Sequence, residues 1–103
     1  MFDTGYEECA KKASTPDIVN CITIKTKLAD LALNNAYSAL ASGLNSSRKE
    51  TLREAERLWL QFRDANCKYY SSMAGTIAHV QAAECLRAMT LTRVHELELA
   101  GQP

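Results

Sequence analysis

The sequence predicts an all-α protein: an antiparallel three-helix, up-down-up bundle with a short N-terminal helical segment and two disulfides. Three observations predict it. Apolar residues recur at steps of three and four over long stretches free of internal Gly and Pro, which is helical periodicity. Turn-forming clusters fall around Ser14-Thr15-Pro16, Gly43-Leu44-Asn45-Ser46 and Met73-Ala74-Gly75-Thr76. The three segments they delimit are therefore about 25 residues and about 40 Å long at 1.5 Å per residue. Finally, four cysteines in 103 residues make an even, disulfide-like count with no C-x-x-C spacing, which argues against zinc and thioredoxin-like chemistry.

Residues 2–13 contain a short helical candidate, with Asp3 or Thr4 as N-cap and Cys9 near its end. Ser14-Thr15-Pro16 breaks it and opens the next helix, where Thr15 is expected to cap and Pro16 to take the first helical position. That helix should run over residues 16–42, with Leu33, Tyr37, Leu40 and Leu44 on its clearest apolar face. It should stop at Gly43, a residue suited to a left-handed C′ position. The β-branched run Ile18-Val19, Ile22-Thr23-Ile24 has strand propensity but no partner strand, so the helical reading stands. Asn45-Ser46-Ser47 supplies turn and cap for the long amphipathic stretch 47–72. There Leu52, Ala55, Trp59, Phe62, Asn66 and Tyr69 share one face, with Arg63 and Cys67 on adjoining positions, and this helix is expected to organise the core. After Met73-Ala74-Gly75-Thr76, with Gly75 as stop and Thr76 as cap, a last helix covers 77–99 and sets Leu86, Met89, Arg93 and Leu97 on one face. Gly101-Gln102-Pro103 should fray.

Residues equidistant from the turn of an antiparallel helical hairpin lie at one height. Cys67 and Cys85 are each nine residues from Thr76, and Cys9 and Cys21 each six from Thr15. Cys67–Cys85 and Cys9–Cys21 are thus the pairings that meet the limit of about 7 Å between Cα atoms. Counted the same way, Asp30 is level with residue 60, Arg93 with residue 57, and Arg63 and Trp59 stand at that height. Asp30, Asn34, Arg63 and Arg93 are expected to converge there in a mid-bundle polar network, because an arginine–carboxylate pair keeps either charge from being buried alone.

A chain of this size forms one domain, residues 1–103, with a modest core that gains from covalent staples. With 47% hydrophobic residues it reads as folded rather than disordered. Its 12 basic and 12 acidic residues cancel, which argues against nucleic acid as partner, since that affinity rests on excess cationic charge. No apolar run approaches the roughly 18 residues of a membrane span. Disulfides imply an oxidising compartment and hence a periplasmic or secreted protein. Met1-Phe2-Asp3-Thr4-Gly5 is no signal peptide, so the sequence reads as a mature fragment whose signal was removed.

Ala29-Asp30, Leu33-Asn34 and Tyr37, then Leu52, Trp59, Phe62-Arg63-Asp64 and Cys67, then Cys85, Thr90, Arg93 and Leu97, together resemble the LprI-like lysozyme-inhibitor family. The resemblance covers roughly residues 9–99, and the spacing Trp-x-x-Phe-Arg-Asp-x-x-Cys at 59–67 is its most specific part. It implies an exported, disulfide-bonded helical domain whose partner is a lysozyme or another wall-degrading enzyme. The alternatives are an immunity protein against a toxin delivered to the periplasm, or an envelope interaction module of another kind.

Nothing in the residues points to catalysis, and neither a cofactor nor a metal is expected. His79 and His95 are sixteen apart without ligands at i+4. Glu84 beside Cys85 makes no hydrolase, because a disulfide sulfur is not a nucleophile. Lys49, Arg53 and Arg57 alternate with Glu50 and Glu54, the pattern of a solvated helix face. Binding residues are therefore expected on loops held by rigid helices. The favoured surface is the end braced by both disulfides, comprising Tyr69, Tyr70, Ser71, Ser72, Met73, Ala74, Gly75 and Thr76. The competing surface is the Gly43-Leu44-Asn45-Ser46-Ser47-Arg48 end.

Overall fold

A computed structural model describes residues 4–102 of the chain. It contains α1 (Thr4–Ala10), α2 (Thr15–Ser42), α3 (Ser46–Ser71) and α4 (Ile77–Ala100), and no strand among the described residues. The short helix lies within the expected stretch 2–13 and covers Thr4–Ala10 among the described residues, with Cys9 near its end. Of its two cap candidates, Asp3 lies outside the described residues and Thr4 is already helical.

Local chemistry explains most boundaries. The cap of α2 falls one residue earlier than expected: the Ser14 side chain accepts the Asp17 N–H at 3.2 Å, and Thr15 is the first helical residue. Asn45 caps α3 by accepting the Arg48 N–H at 2.9 Å. At the end of α2, Gly43 is not left-handed, having φ of −93°. Its N–H reaches the Leu40 carbonyl at 3.3 Å, and the Leu44 N–H reaches that of Ala41 at 3.0 Å. A right-handed final turn therefore satisfies the carbonyls, and the Asn45 cap redirects the chain. Gly75 is the glycine that needs positive φ, at +96°, where a side chain would be strained. Thr76 stands at the cap position of α4, but its hydroxyl caps nothing.

The packing revises which helix is central. α4 carries the extensive interfaces with both α2 and α3, while α1 leans on α2. Ile22 of α2 clusters with Val80 of α4, and Leu33 with Val94 and Leu97, so α2 and α4 run parallel. α3 runs antiparallel to α4, as Cys67 meets Cys85 and Glu56 meets Arg93. This is the up-down-up bundle, with α4 rather than α3 as its shared member. α4 buries Ala78, Val80, Glu84, Arg87, Thr90, Val94 and Leu97; from Val80 onward these recur at steps of three and four and form one stripe, whose middle is polar and which is rotated from the expected Leu86, Met89, Arg93 face.

The inward face of α3 is rotated from the expected one. Glu56 and Cys67 are buried, with Leu52, Trp59, Arg63, Asn66 and Tyr70 half-buried beside them. Ala55, Phe62 and Tyr69, counted in the apolar stripe, point to solvent. Two apolar clusters result. One, at the disulfide end, is Cys9, Ile22 and Val80, with Tyr6, Ile18 and Val19 against it. The other is Leu33, Val94 and Leu97, with Tyr37, Leu40, Leu52 and Trp59. Between them α4 contributes Glu84, Arg87 and Thr90, a polar layer through the middle of the molecule.

Candidate functional site

The disulfide end is built from four covalently tied segments. Cys9–Cys21 joins α1 to α2 and Cys67–Cys85 joins α3 to α4, each with a Cα separation of 5.4 Å. These are the two pairings that the helix heights select, and no described cysteine is free. α1 is also fastened by the Lys25 ammonium, which donates to a Glu8 carboxylate oxygen at 2.9 Å. That hydrogen bond and the attraction of Lys25 hold the Glu8 carboxyl below its ordinary pKa.

The segment 69–76 crosses this end. Tyr69 and Ser71 through Thr76 are exposed, whereas Tyr70 is half-buried and meets the Tyr69 ring edge-on at 5.4 Å. The hydroxyls of Ser71 and Ser72 donate back to the Lys68 and Tyr69 carbonyls, at 2.9 and 2.6 Å. They finish the helix and present only acceptor lone pairs outward. The apolar contribution of the segment comes from Tyr69 and Met73.

Beside this segment a groove of about 690 Å³ opens along α4, between α1 and α3. Tyr6, Tyr70, Ile77, Val80 and Met89 supply its apolar walls, and Glu7, Gln81, Glu84 and Asn66 its polar groups. Asn66 directs its amide at the Met89 sulfur, 3.3 Å away, and both Cys67 and Cys85 sulfurs lie 3.8 Å from that atom. A smaller groove of about 360 Å³, lined by Trp59, Phe62, Thr92 and Glu96, shares Ala88 and Met89 with it. The two grooves adjoin at Ala88 and Met89. Helix periodicity did not reveal the larger groove, because its walls come from side chains of three separate helices.

The mid-bundle charges are arranged differently from the expected network. Arg63 donates to Asp30 at 3.4 Å, to Thr90 at 3.2 Å and to its neighbour Asp64 at 3.0 Å. Arg93 does not join them. It donates to Glu56 at 2.9 Å and to Glu96 at 3.1 Å. Burial works against the Arg93 charge, but its hydrogen bonds to the Glu56 and Glu96 carboxylates, with their negative charges, outweigh it and raise its pKa. Asn34 is exposed and takes no part. The reason is that Glu56 faces α4 at the height of Arg93 and is itself buried, so the nearest buried carboxylate claims that arginine. Both guanidiniums lie by the Trp59 ring, at 5.6 and 5.9 Å from its centroid, which favours the cations further. Asp30, Asn34, Tyr37, Arg53, Glu56 and Arg63 line a groove of about 570 Å³ between α2 and α3.

Among the described residues no group of three or more His, Cys, Asp or Glu side chains is placed to hold a metal ion. No described helix is long and apolar enough to cross a membrane.

The sequence is 24% identical over 106 residues to the uncharacterized protein R02472 of Rhizobium meliloti (strain 1021), an alignment spanning 88% of this chain and 76% of that relative. No solved structure matches it. The family described as Lysozyme inhibitor LprI matches residues 8–97, from just before the first disulfide cysteine to the last buried leucine of α4. Match and geometry agree on the same elements, and the chain belongs to the LprI lysozyme-inhibitor family.

Proposed function

We propose that the protein is an exported binding protein that inhibits a lysozyme or a related peptidoglycan-cleaving enzyme through its disulfide-braced end. The family match supports the partner class. The observation that carries the choice of surface is the bracing: two disulfides stand behind an exposed segment that offers Tyr69, Met73 and a turn at Gly75. A segment already held in one conformation loses less entropy on binding, which favours tight inhibition. Ser71, Ser72, Thr76 and the tyrosine hydroxyls suit a cleft that hydrogen-bonds sugars. The two disulfides fit an oxidising compartment, and inhibition by occlusion needs no catalytic group. The reading as an immunity protein uses the same surface against a different enzyme.

The test is the clearing of a peptidoglycan suspension by a panel of lysozymes, with and without the protein. Ala74→Glu should relieve inhibition at least about tenfold by placing an unpartnered charge in the contact, while Asn45→Glu at the far end should not. The reverse pattern moves the site to the Gly43 end. No inhibition of any enzyme in the panel removes the reading.

A further inference from the structure

α3 carries a second stripe besides the one it buries. Thr51, Ala55, Leu58, Phe62, Ala65 and Tyr69 follow one another at alternating steps of four and three, and all six are exposed. They form two interleaved series of sevens, the heptad spacing by which one helix packs along another. The stripe lies about a third of a turn round from the buried face of α3, so α4 leaves it open along about 27 Å of helix. The exposed leucines of α2 make no comparable surface. Ile24, Leu28 and Leu31 are bounded by Asn20 and Asn35 and occupy only about two turns.

The stripe is complementary to itself. Laid antiparallel on a second copy about the height of residue 60, it sets Leu58 opposite Phe62 and Phe62 opposite Leu58, a closed apolar centre. Ala55 then meets Ala65 on either side, where small side chains let the backbones approach, and Thr51 meets Tyr69 at the ends. Charge selects this register. Glu54 and Lys68 each precede a stripe residue on the same border, and here Lys68 of one copy faces Glu54 of the other at both ends. Sliding the copies by a heptad, or laying them parallel, loses both contacts. The Lys68 ammonium is exposed and has no carboxylate partner among the described residues. Glu54 holds Arg57 in an exposed pair on its own helix and stays open to a second cation. Leu58, Phe62 and Tyr69, exposed by 49, 60 and 63%, present on the order of 350 Å² of side chain per copy. Two copies, with the alanines and the flanking stems, reach about 1,000 Å², the lower end for a specific interface.

We propose that the protein pairs with a second copy of itself through this outer stripe, the two α3 helices running antiparallel about a two-fold axis near residue 60. The same patch serves both copies, so the assembly closes at two. The inference does not rest on lysozyme inhibition. Tyr69 is the one residue shared with the segment 69–76, so the dimer covers only the edge of that surface.

Sedimentation velocity of the intact, oxidised protein from about 1 μM to about 1 mM tests it. Monomer should give way to dimer, and to nothing larger, as concentration rises. Phe62→Glu, at a position open to solvent in the single copy, should raise the dimer dissociation constant at least about a hundredfold, with far-UV circular dichroism verifying the fold. Leu28→Glu, on the outer face of α2, should leave it unchanged. Lys68→Glu sets like charges against each other at both ends and should weaken the dimer about tenfold. Adding Glu54→Lys to that variant should restore most of the loss, because each pair is again of opposite sign. A monomer at every concentration, assembly beyond two copies, equal losses with Leu28→Glu and Phe62→Glu, or no rescue by the double reversal each overturns the proposal.

Discussion

Single residues decide how the middle of the molecule is held. Arg63 and Arg93 look equivalent in sequence, both being arginines on the bundle's polar height beside Trp59. Their partners differ. Asp30 is 47% exposed at its side chain, so water replaces Arg63 if the guanidinium is removed. Glu56 is 12% exposed and has no such recourse. Arg93→Ala should therefore destabilise by about 3 kcal/mol, the cost of stranding a buried charge. Arg63→Ala should cost less, about 1–2 kcal/mol, from lost charge-assisted hydrogen bonds at a half-wet site. Urea denaturation of the two variants checks the order, and equal losses would contradict it. At the Glu8–Lys25 pair the pKa shift fixes a pH dependence. The Glu8 pKa is lowered in the fold, so the pair supports α1 above the ordinary glutamate range. That support is lost as pH falls through the lowered value. An NMR titration of the Glu8 carboxyl should give a midpoint below that of ordinary glutamate, returning upward in Lys25→Met.

At the scale of elements, α1 is the weakest member. It spans seven residues, below the length at which a helix sustains itself, and packs chiefly on α2. Cys9–Cys21 closes a loop of separation 12, which the chain-entropy model values at ~3 kcal/mol. In a Cys9→Ser/Cys21→Ser double variant, amide exchange should become rapid throughout α1, while α4 keeps its protection relative to global unfolding. Loss of protection in both helices together would make α1 part of the cooperative core. The helices and their turns were legible in the sequence because Pro16, Asn45 and Gly75 are local signals that need no knowledge of neighbours. The disulfides were legible because helix heights follow from counting. The face of α3 was not. Treating Phe62 and Tyr69 as inward is what hydrophobicity alone dictates. Stepping back from Cys67, whose disulfide fixes it inward, by fours and threes gives Arg63, Trp59, Glu56 and Leu52, the face that is buried. Glu56 can occupy it only because Arg93 waits on α4, and a pairing across two helices leaves no mark within either.

The whole molecule measures 49 × 26 × 18 Å, a slab about one and a half helix diameters through its thin direction. Each long helix consequently keeps an outer face. Ile24, Leu28 and Leu31 on α2, and Leu58 and Phe62 on α3, remain exposed at this scale without any fault of packing. Thinness also divides the interior, since the layer of Glu84, Arg87 and Thr90 separates two small apolar clusters. The parallel seating of α2 on α4 sets a timetable for assembly. Ile22 waits for Val80, made 58 residues later, and Leu33 for Val94, 61 residues later. At about 5–20 residues per second of synthesis, α2 spends roughly 3–12 s with its inner face uncovered. A helical bundle ordinarily assembles from near neighbours and fast, but here the largest interface joins the first long helix to the last. The nascent chain therefore stays open and threadable until its C-terminal helix has been made.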